Sequence, residues 1–168
     1  MEVNEELSRE LEEAIRRSNT VIYRRGQALL AEMGISNPQF NTLLALYEFG
    51  PLTMGDLGKH LFTACSTATD LADRLERDGL VERIRDSKDR RIVRMHLLTK
   101  GKKMVEVIMN ERYRFLEEVL AGYTADEHRL ILESLKHLID RVERTDKTYP
   151  VELEAVRNIK KKLILSPS

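Results

Sequence analysis

The densest chemistry in the sequence lies between Arg83 and Arg94. There Arg83, Arg85, Lys88, Arg90, Arg91 and Arg94 stand against Asp86 and Asp89 only. Six cations against two acids leave a local excess of four positive charges in a chain of 168 residues whose formal net charge is zero. The bland reading of such a run is a solvated charged hairpin. The chemical reading is polyanion binding, because arginine on a loop tip fits a narrow DNA minor groove, where the potential is most negative. Asp89 is expected to pair with a neighbouring arginine and fix its direction. Just upstream, Thr63, Ser66, Thr67 and Thr69 gather hydroxyls at the start of a helical pattern. Hydroxyls there cap a helix, and they hydrogen-bond phosphates and base edges when that end points into a groove. Capping suits Thr63, whereas Ser66, Thr67 and Thr69 span more of a helix face than capping requires and are read as DNA contacts. Asp70, Asp73 and Asp78 would repel DNA unless paired. Arg74 lies one turn from Asp70 and Arg77 one turn from Asp73, so each is expected to offset its acid. Both arginines join Lys88, Arg90 and Arg91 as candidate DNA-contacting residues.

The elements that must position these groups follow from periodicity and punctuation. Apolar residues Leu7, Leu11, Ile15, Ile22, Leu29 and Met33 recur at helical spacing, and Gly34 stops that long helix. A second helix opens at Ser36-Asn37-Pro38-Gln39. Either Ser36 caps it with Gln39 answering three residues on, or Asn37 caps it with Pro38 in the first turn. It buries Phe40, Leu43, Leu44, Leu46 and Tyr47 and ends at Gly50-Pro51. Thr53 and Asp56 start a short third helix holding Leu57 and Leu61. A turn through Phe62 and Thr63 leads to a fourth helix over about residues 64–78, which Gly79 terminates. The alternation in residues 80–85 and the return in 92–97 predict a β-hairpin with the charged run at its tip. Thr99 is expected to cap a helix running to about Ala121. Gly122 breaks it, and the capping box Thr124 to Glu127 opens a last helix through Val142.

Helix-turn-helix followed by a hairpin is a winged helix, which lays one helix in the major groove and a basic loop beside it. The expected fold class is therefore mainly α (α+β), with a small β-hairpin wing between long N- and C-terminal helices. Residues 36–102 are expected to form the DNA-binding lobe, residues 1–35 and 103–146 a helical region that packs along another long helix of the same chain or of a partner and is read as the dimerisation region, and residues 147–168 a tail with one further amphipathic helical pattern.

The run STATDLADRLERDGLVERIRDSKDRRIVRMHLLTKG also resembles the recognition helix and wing of MarR-type bacterial transcription regulators. Their usual form is D-x-S-T-V-T-x-L-[VI]-D-R-L-E-x-x-G-L-[VI]-x-R, then D-x-R-x-x-x-x-x-L-T-x-x-G. Helix, glycine, strand, wing and following helix occur in register, and the resemblance extends over about residues 5–146 without the tail. It implies an obligate homodimer in which the first, fifth and sixth helices interlock, with two lobes on a pseudo-palindromic operator of double-stranded DNA. By the same resemblance Asp89 and Arg91 match the acid–arginine pair of the wing. Relatives often answer to small aromatic acids, lipids or drugs. Asn19, Tyr23, Phe40, Leu44, Met109 and Tyr113 are the candidate effector-binding residues, combining apolar walls with hydrogen-bonding groups. Core packing accounts for Phe40 and Leu44 equally well.

Two departures from the pattern stand out. The acid that usually precedes the S-T run by two positions is Ala64 here, which leaves capping to Thr63. Cys65, the only cysteine, comes next. A thiol at a helix N-terminus can be acidified and reactive, which gives a redox-responsive alternative; it is equally a small packing residue.

The remaining features are mainly exclusions. One cysteine allows no internal disulfide and suits a reducing compartment. No apolar run approaches the ~20 residues that span a bilayer, and the acidic, amphipathic start is no signal peptide. A cytoplasmic protein without a membrane partner is expected. His60, His96, His128 and His137 have no metal-ligand spacing, and no phosphate loop, nucleophile elbow or paired Cys-x-x-Cys occurs. Neither enzymatic activity, nor a metal, nor a cofactor is expected. The reading is a DNA-binding regulator, a repressor relieved by a small-molecule effector. The alternative from another class is a winged-helix protein-interaction module, which would have no reason to load Lys88, Arg90 and Arg91 on one loop.

Overall fold

The computed structural model describes residues 4–61, 65–86 and 89–145, apart from the side chains of Cys65, Ser66 and Glu143. The expected turn through Phe62 and Thr63, the Ala64 departure, Lys88 and the tail 147–168 lie outside the described residues. Among the described residues six helices and three short strands follow in the order α1 (Glu5–Glu32), α2 (Asn37–Phe49), β1 (Leu52–Thr53), α3 (Met54–His60), α4 (Cys65–Arg77), β2 (Val81–Arg85), β3 (Val93–Leu97), α5 (Thr99–Leu120) and α6 (Ala125–Thr145). Among the described residues no helix is long and apolar enough to cross a membrane. The chain divides into two units, residues 1–112 and 113–168, with the division inside α5.

In the first unit, local chemistry sets the helix ends. Ser36 accepts from the Gln39 N–H while the Gln39 side chain accepts from the Ser36 N–H at 3.0 Å, a reciprocal capping box with Pro38 in the first turn. Ser36 is therefore the cap and Asn37 the first helical residue. Thr53 accepts from the Asp56 N–H at 3.2 Å and donates its hydroxyl to Asp56 Oδ2 at 2.6 Å. That bond holds the Asp56 carboxyl below its ordinary range against the opposing effect of burial. Helices α1 and α4 end alike. Gly34 and Gly79 take φ of 68° and 67°, the left-handed region open to glycine. The following N–H groups of Ile35 and Leu80 then reach back to the carbonyls of Leu30 and Leu75. Each of these apolar pairs is buried, as the Schellman motif requires.

The core is assembled from α2 (Phe40, Leu43, Leu46), α3 (Leu57), α4 (Ala68, Ala72, Leu75), the strands (Val81, Met95) and α5 (Val105, Ile108). Ala68, Ala72 and Leu75 recur at i, i+4, i+7 and are fully buried, so one face of α4 is committed to packing. Arg112 lies over the Phe40 ring, 4.9 Å from its centroid.

The sheet departs from the expected hairpin by one strand. Antiparallel pairing runs from Val81 opposite Leu97 to Arg85 opposite Val93, and β1 adds on the other edge with Leu52 opposite Met95. The strand order is β1-β3-β2. Two residues are too few for alternation to register in a sequence. A second difference lies at α5: the Lys102 N–H donates to the Leu98 carbonyl at 2.9 Å, so Thr99 is the first helical residue and not the cap.

The second unit carries the end of α5 and all of α6. Glu127 accepts from the N–H and hydroxyl of Thr124, and the Thr124 Oγ1 accepts in return from the Glu127 N–H, which is the expected capping box. The turn at Gly122 has a φ of 95°. Large apolar side chains of α6 stand open to solvent, among them Leu130, Leu135, Ile139 and Val142.

Candidate nucleic-acid interface

Committing Ala68, Ala72 and Leu75 to the core leaves α4 one outward surface. On it Thr67, Asp70, Arg74 and Arg77 follow at i, i+3, i+7 and i+10, all exposed. Thr69 is exposed as well, but two residues turn a helix by about 200°, so it lies on the opposite flank from Thr67. The backbone of Ser66 belongs to α4, and so does that of Cys65.

The acids of α4 are not paired as expected. Arg77 Nε donates to the Asp73 backbone carbonyl at 3.3 Å and not to its carboxylate. Among the described residues Arg74 and Asp70 form no ion pair. The partner of Asp73 comes instead from β2: Arg83 donates from Nη2 to Asp73 Oδ1 and from Nη1 to Glu76 Oε2, the latter at 2.6 Å. The other Glu76 oxygen accepts from the Arg83 backbone N–H at 3.1 Å. Partial burial lowers the Arg83 pKa, but the hydrogen bond and charge of Asp73 and those of Glu76 outweigh it and hold the guanidinium above its ordinary range. Arg83, on the neighbouring strand, reaches both carboxylates at once with its planar fork, which an arginine one turn along the helix from a single acid does not.

Asp89 also differs from expectation. Its Oδ1 accepts from the Arg91 backbone N–H at 3.0 Å, an Asx turn, rather than from a guanidinium. Its own N–H donates to Asp86 Oδ1, and its carbonyl accepts from the Ile92 N–H. Asp86 takes the ion pair, with Arg94 Nε at 3.3 Å. Of the cations between positions 83 and 94, Arg83 and Arg94 are thus held by carboxylates. Arg85, Arg90 and Arg91 are exposed, with no carboxylate at ion-pair distance among the described residues. The basic excess is concentrated on the wing because the acids are spent on shaping it.

The candidate effector residues fall into two groups. Asn19 and Tyr23 are exposed on α1, and Tyr113 is exposed in the second unit. Phe40 is fully buried, while Leu44 and Met109 pack partly buried against the same core. Arg112, beside Gly26 and over Phe40, is a cation on this side that the sequence reading passed over. Helical periodicity marks it only as a polar position between apolar ones.

Comparison with known proteins places this geometry. A model of the MarR family matches residues 35–93. The chain is 36% identical over 135 residues to the HTH-type transcriptional regulator YsmB of Bacillus subtilis (strain 168), covering 80% of this chain and 92% of that one. A MarR family protein from Bacillus stearothermophilus of known structure superposes with a TM-score of 0.80 at 37% identity, over 84% of this chain and 99% of that one. The structure of NadR in complex with 4-hydroxyphenylacetate superposes with a TM-score of 0.58 at 28% identity, over 77% and 91%.

Proposed function

The chain belongs to the MarR family of transcription regulators, whose work is DNA binding and not catalysis, and from that premise we propose that it represses transcription as an effector-released homodimer. The observation that carries the reading is the charge arrangement on the wing: Arg90 and Arg91 stand exposed on a loop shaped by Asp86 and Asp89. The α4 surface, with Ser66, Thr67, Thr69, Arg74 and Arg77, supplies phosphate and base-edge contacts in the major groove. Lys88, Arg90 and Arg91 supply the minor-groove and phosphate contacts.

Homodimerisation through the first, fifth and sixth helices is supported by the apolar side chains that these helices leave open. Leu7, Leu11, Ile15 and Ile22 on α1, Leu116 and Val119 on α5, and Leu135 and Ile139 on α6 are each more than two-fifths exposed in the single chain. Helices with such faces bury them against another surface. A two-fold dimer then presents two recognition helices to half-sites about one turn apart on a pseudo-palindrome. We place the effector on the α1–α2–α5 side of the first unit, with Asn19 and Tyr23 as accessible contacts. NadR bound to 4-hydroxyphenylacetate makes an aromatic acid the first chemical class to try. A regulator works where its DNA is, which in a bacterium is the cytoplasm.

The test is capture of genomic fragments by the purified full chain, with and without 4-hydroxyphenylacetate and a panel of other aromatic acids. The expected result is a small set of fragments sharing a two-fold symmetric site, bound by two chains and released by one of the acids. Fragments with no shared site would overturn sequence-specific regulation. A monomer on the DNA by sedimentation would overturn the dimer.

A further inference from the structure

We infer that Arg83 is a positioning residue for sequence reading: its fork fixes the recognition helix α4 to the wing strand β2, so that helix and wing meet the DNA as one rigid reader. This rests on the reading above that both α4 and the wing contact DNA. Three observations carry it. Arg83 bonds two carboxylates one turn apart on α4, Asp73 through Nη2 and Glu76 through Nη1. Glu76 additionally holds the Arg83 backbone N–H, so strand and helix are tied at main chain and side chain together. The side chain is 27% exposed, and each of its terminal nitrogens is engaged with a carboxylate, so its charge is directed at α4.

The charge count favours positioning over contact. Within α4, Asp70, Asp73 and Glu76 outnumber Arg74 and Arg77 by one. Left unpaired, Asp73 and Glu76 would repel the phosphates that Arg74 and Arg77 attract. Bound to Arg83, their two negative charges are offset by one positive charge, and they anchor the helix. A helix turned by even a fraction of a residue step presents its base-reading side chains to the wrong edges, so the fork bears on discrimination more than on overall attraction.

The experiment measures affinity of the full chain for a duplex that the wild type selects from a randomised pool, and for a scrambled duplex of equal composition. Arg83→Gln should lower the ratio of selected to scrambled affinity at least about tenfold, the scale of losing discrimination at one base pair. Arg83→Lys, which reaches one carboxylate but not both, should fall between them in a protein whose melting shows it folded. The triple variant R83Q/D73N/E76Q removes both carboxylate charges, leaving the trio one unit more positive than in the wild type, but does not restore the fork. It should recover scrambled-duplex affinity without recovering the ratio.

Full recovery of the ratio in the triple variant would show that only charge matters and overturn the inference. So would a wild-type ratio in Arg83→Lys, or in a thermally weakened Arg83→Gln. A salt dependence reduced by about one counterion per chain, two per bound dimer, in Arg83→Gln would make Arg83 a phosphate contact and overturn it likewise. If the wild type selects no duplex, the DNA-binding reading itself falls; if it selects one and Arg83→Gln discriminates equally well, only the positioning role falls.

Discussion

Gly101, in the first turn of α5, lies so close to Leu80 that a Cβ on it would stand 2.3 Å from the Leu80 carbonyl oxygen. Leu97 Cδ1 would be 2.8 Å away on the same side. The Leu80 carbonyl is itself fixed, since it accepts from the Leu98 N–H at 3.0 Å. Backbone cannot swing aside as a side chain can, so the helix must shift instead. Gly101→Ala is therefore expected to destabilise the chain by about 1–3 kcal/mol, the range for overpacking a filled site. Denaturant unfolding checks this through a lower midpoint at unchanged slope. A wild-type midpoint would mean that α5 moves away at no cost.

Replacing both Arg90 and Arg91 by Ala should weaken DNA binding without weakening the fold. Neither side chain has a carboxylate partner among the described residues, so unfolding should stay within about 0.5 kcal/mol of wild type. Four lost phosphate-region contacts, two from each chain of the dimer, should reduce the slope of log affinity against log salt by about 3.6. Titrations of a selected duplex at several salt concentrations measure it. Unchanged affinity and slope would remove the wing from DNA binding.

Asp89 separates loop shape from charge by the sign of an effect. Its carboxylate holds the Arg91 N–H. On charge alone, removing an acid from a loop proposed to meet DNA should tighten binding. If the Asx turn aims the arginines, Asp89→Ala should loosen it several-fold, while Asp89→Asn, which keeps the acceptor, should bind at least as tightly as wild type. A gain of affinity in Asp89→Ala would show that the turn does not matter.

The Thr53–Asp56 cap predicts an acid-dependent stability. The Thr53 hydroxyl holds the Asp56 carboxyl below its ordinary 3.8 in the folded chain. A group depressed on folding contributes fully above its unfolded value and loses that contribution as pH falls through the folded one. Thr53→Ala should cost about 1 kcal/mol near neutral pH, as loss of an N-cap does. It should also flatten the fall in stability below the ordinary carboxylate range. Urea unfolding at descending pH compares the two limbs, and superimposable limbs would mean that Thr53 does not hold the carboxylate.

Much of the fold was legible because its signals are local. Ser36 with Gln39, Thr53 with Asp56 and Thr124 with Glu127 are donors and acceptors three residues apart, and that spacing closes on itself in any helix start. Gly34 and Gly79 mark helix ends for a reason that holds wherever the chain needs a positive φ. The strands β2 and β3 were visible from alternation, whereas the two residues of β1 were not, since pairing and not pattern makes them a strand. The site was legible in its residue types and in its excess of charge on the wing. Its pairings were not. Spacing along α4 suggested Arg74 with Asp70 and Arg77 with Asp73, but side chains compete for partners in three dimensions.

What the sequence by itself determined, then, is the set of elements, the family pattern from the recognition helix through Gly101, and the place where positive charge collects. These depend on backbone propensity, on spacing within one or two turns, and on composition, all of which travel with the chain. Tertiary structure alone decided which charges remain available. Arg83 reaches Asp73 and Glu76, and Arg94 reaches Asp86, only because β2 packs beside α4 and pairs with β3. Arg90 and Arg91 keep exposed charges while Asp86 pairs with Arg94 and Asp89 holds the Arg91 N–H. An ion pair depends on a distance of a few ångströms, and in this lobe that distance is set by the register of the sheet and its packing on the helix.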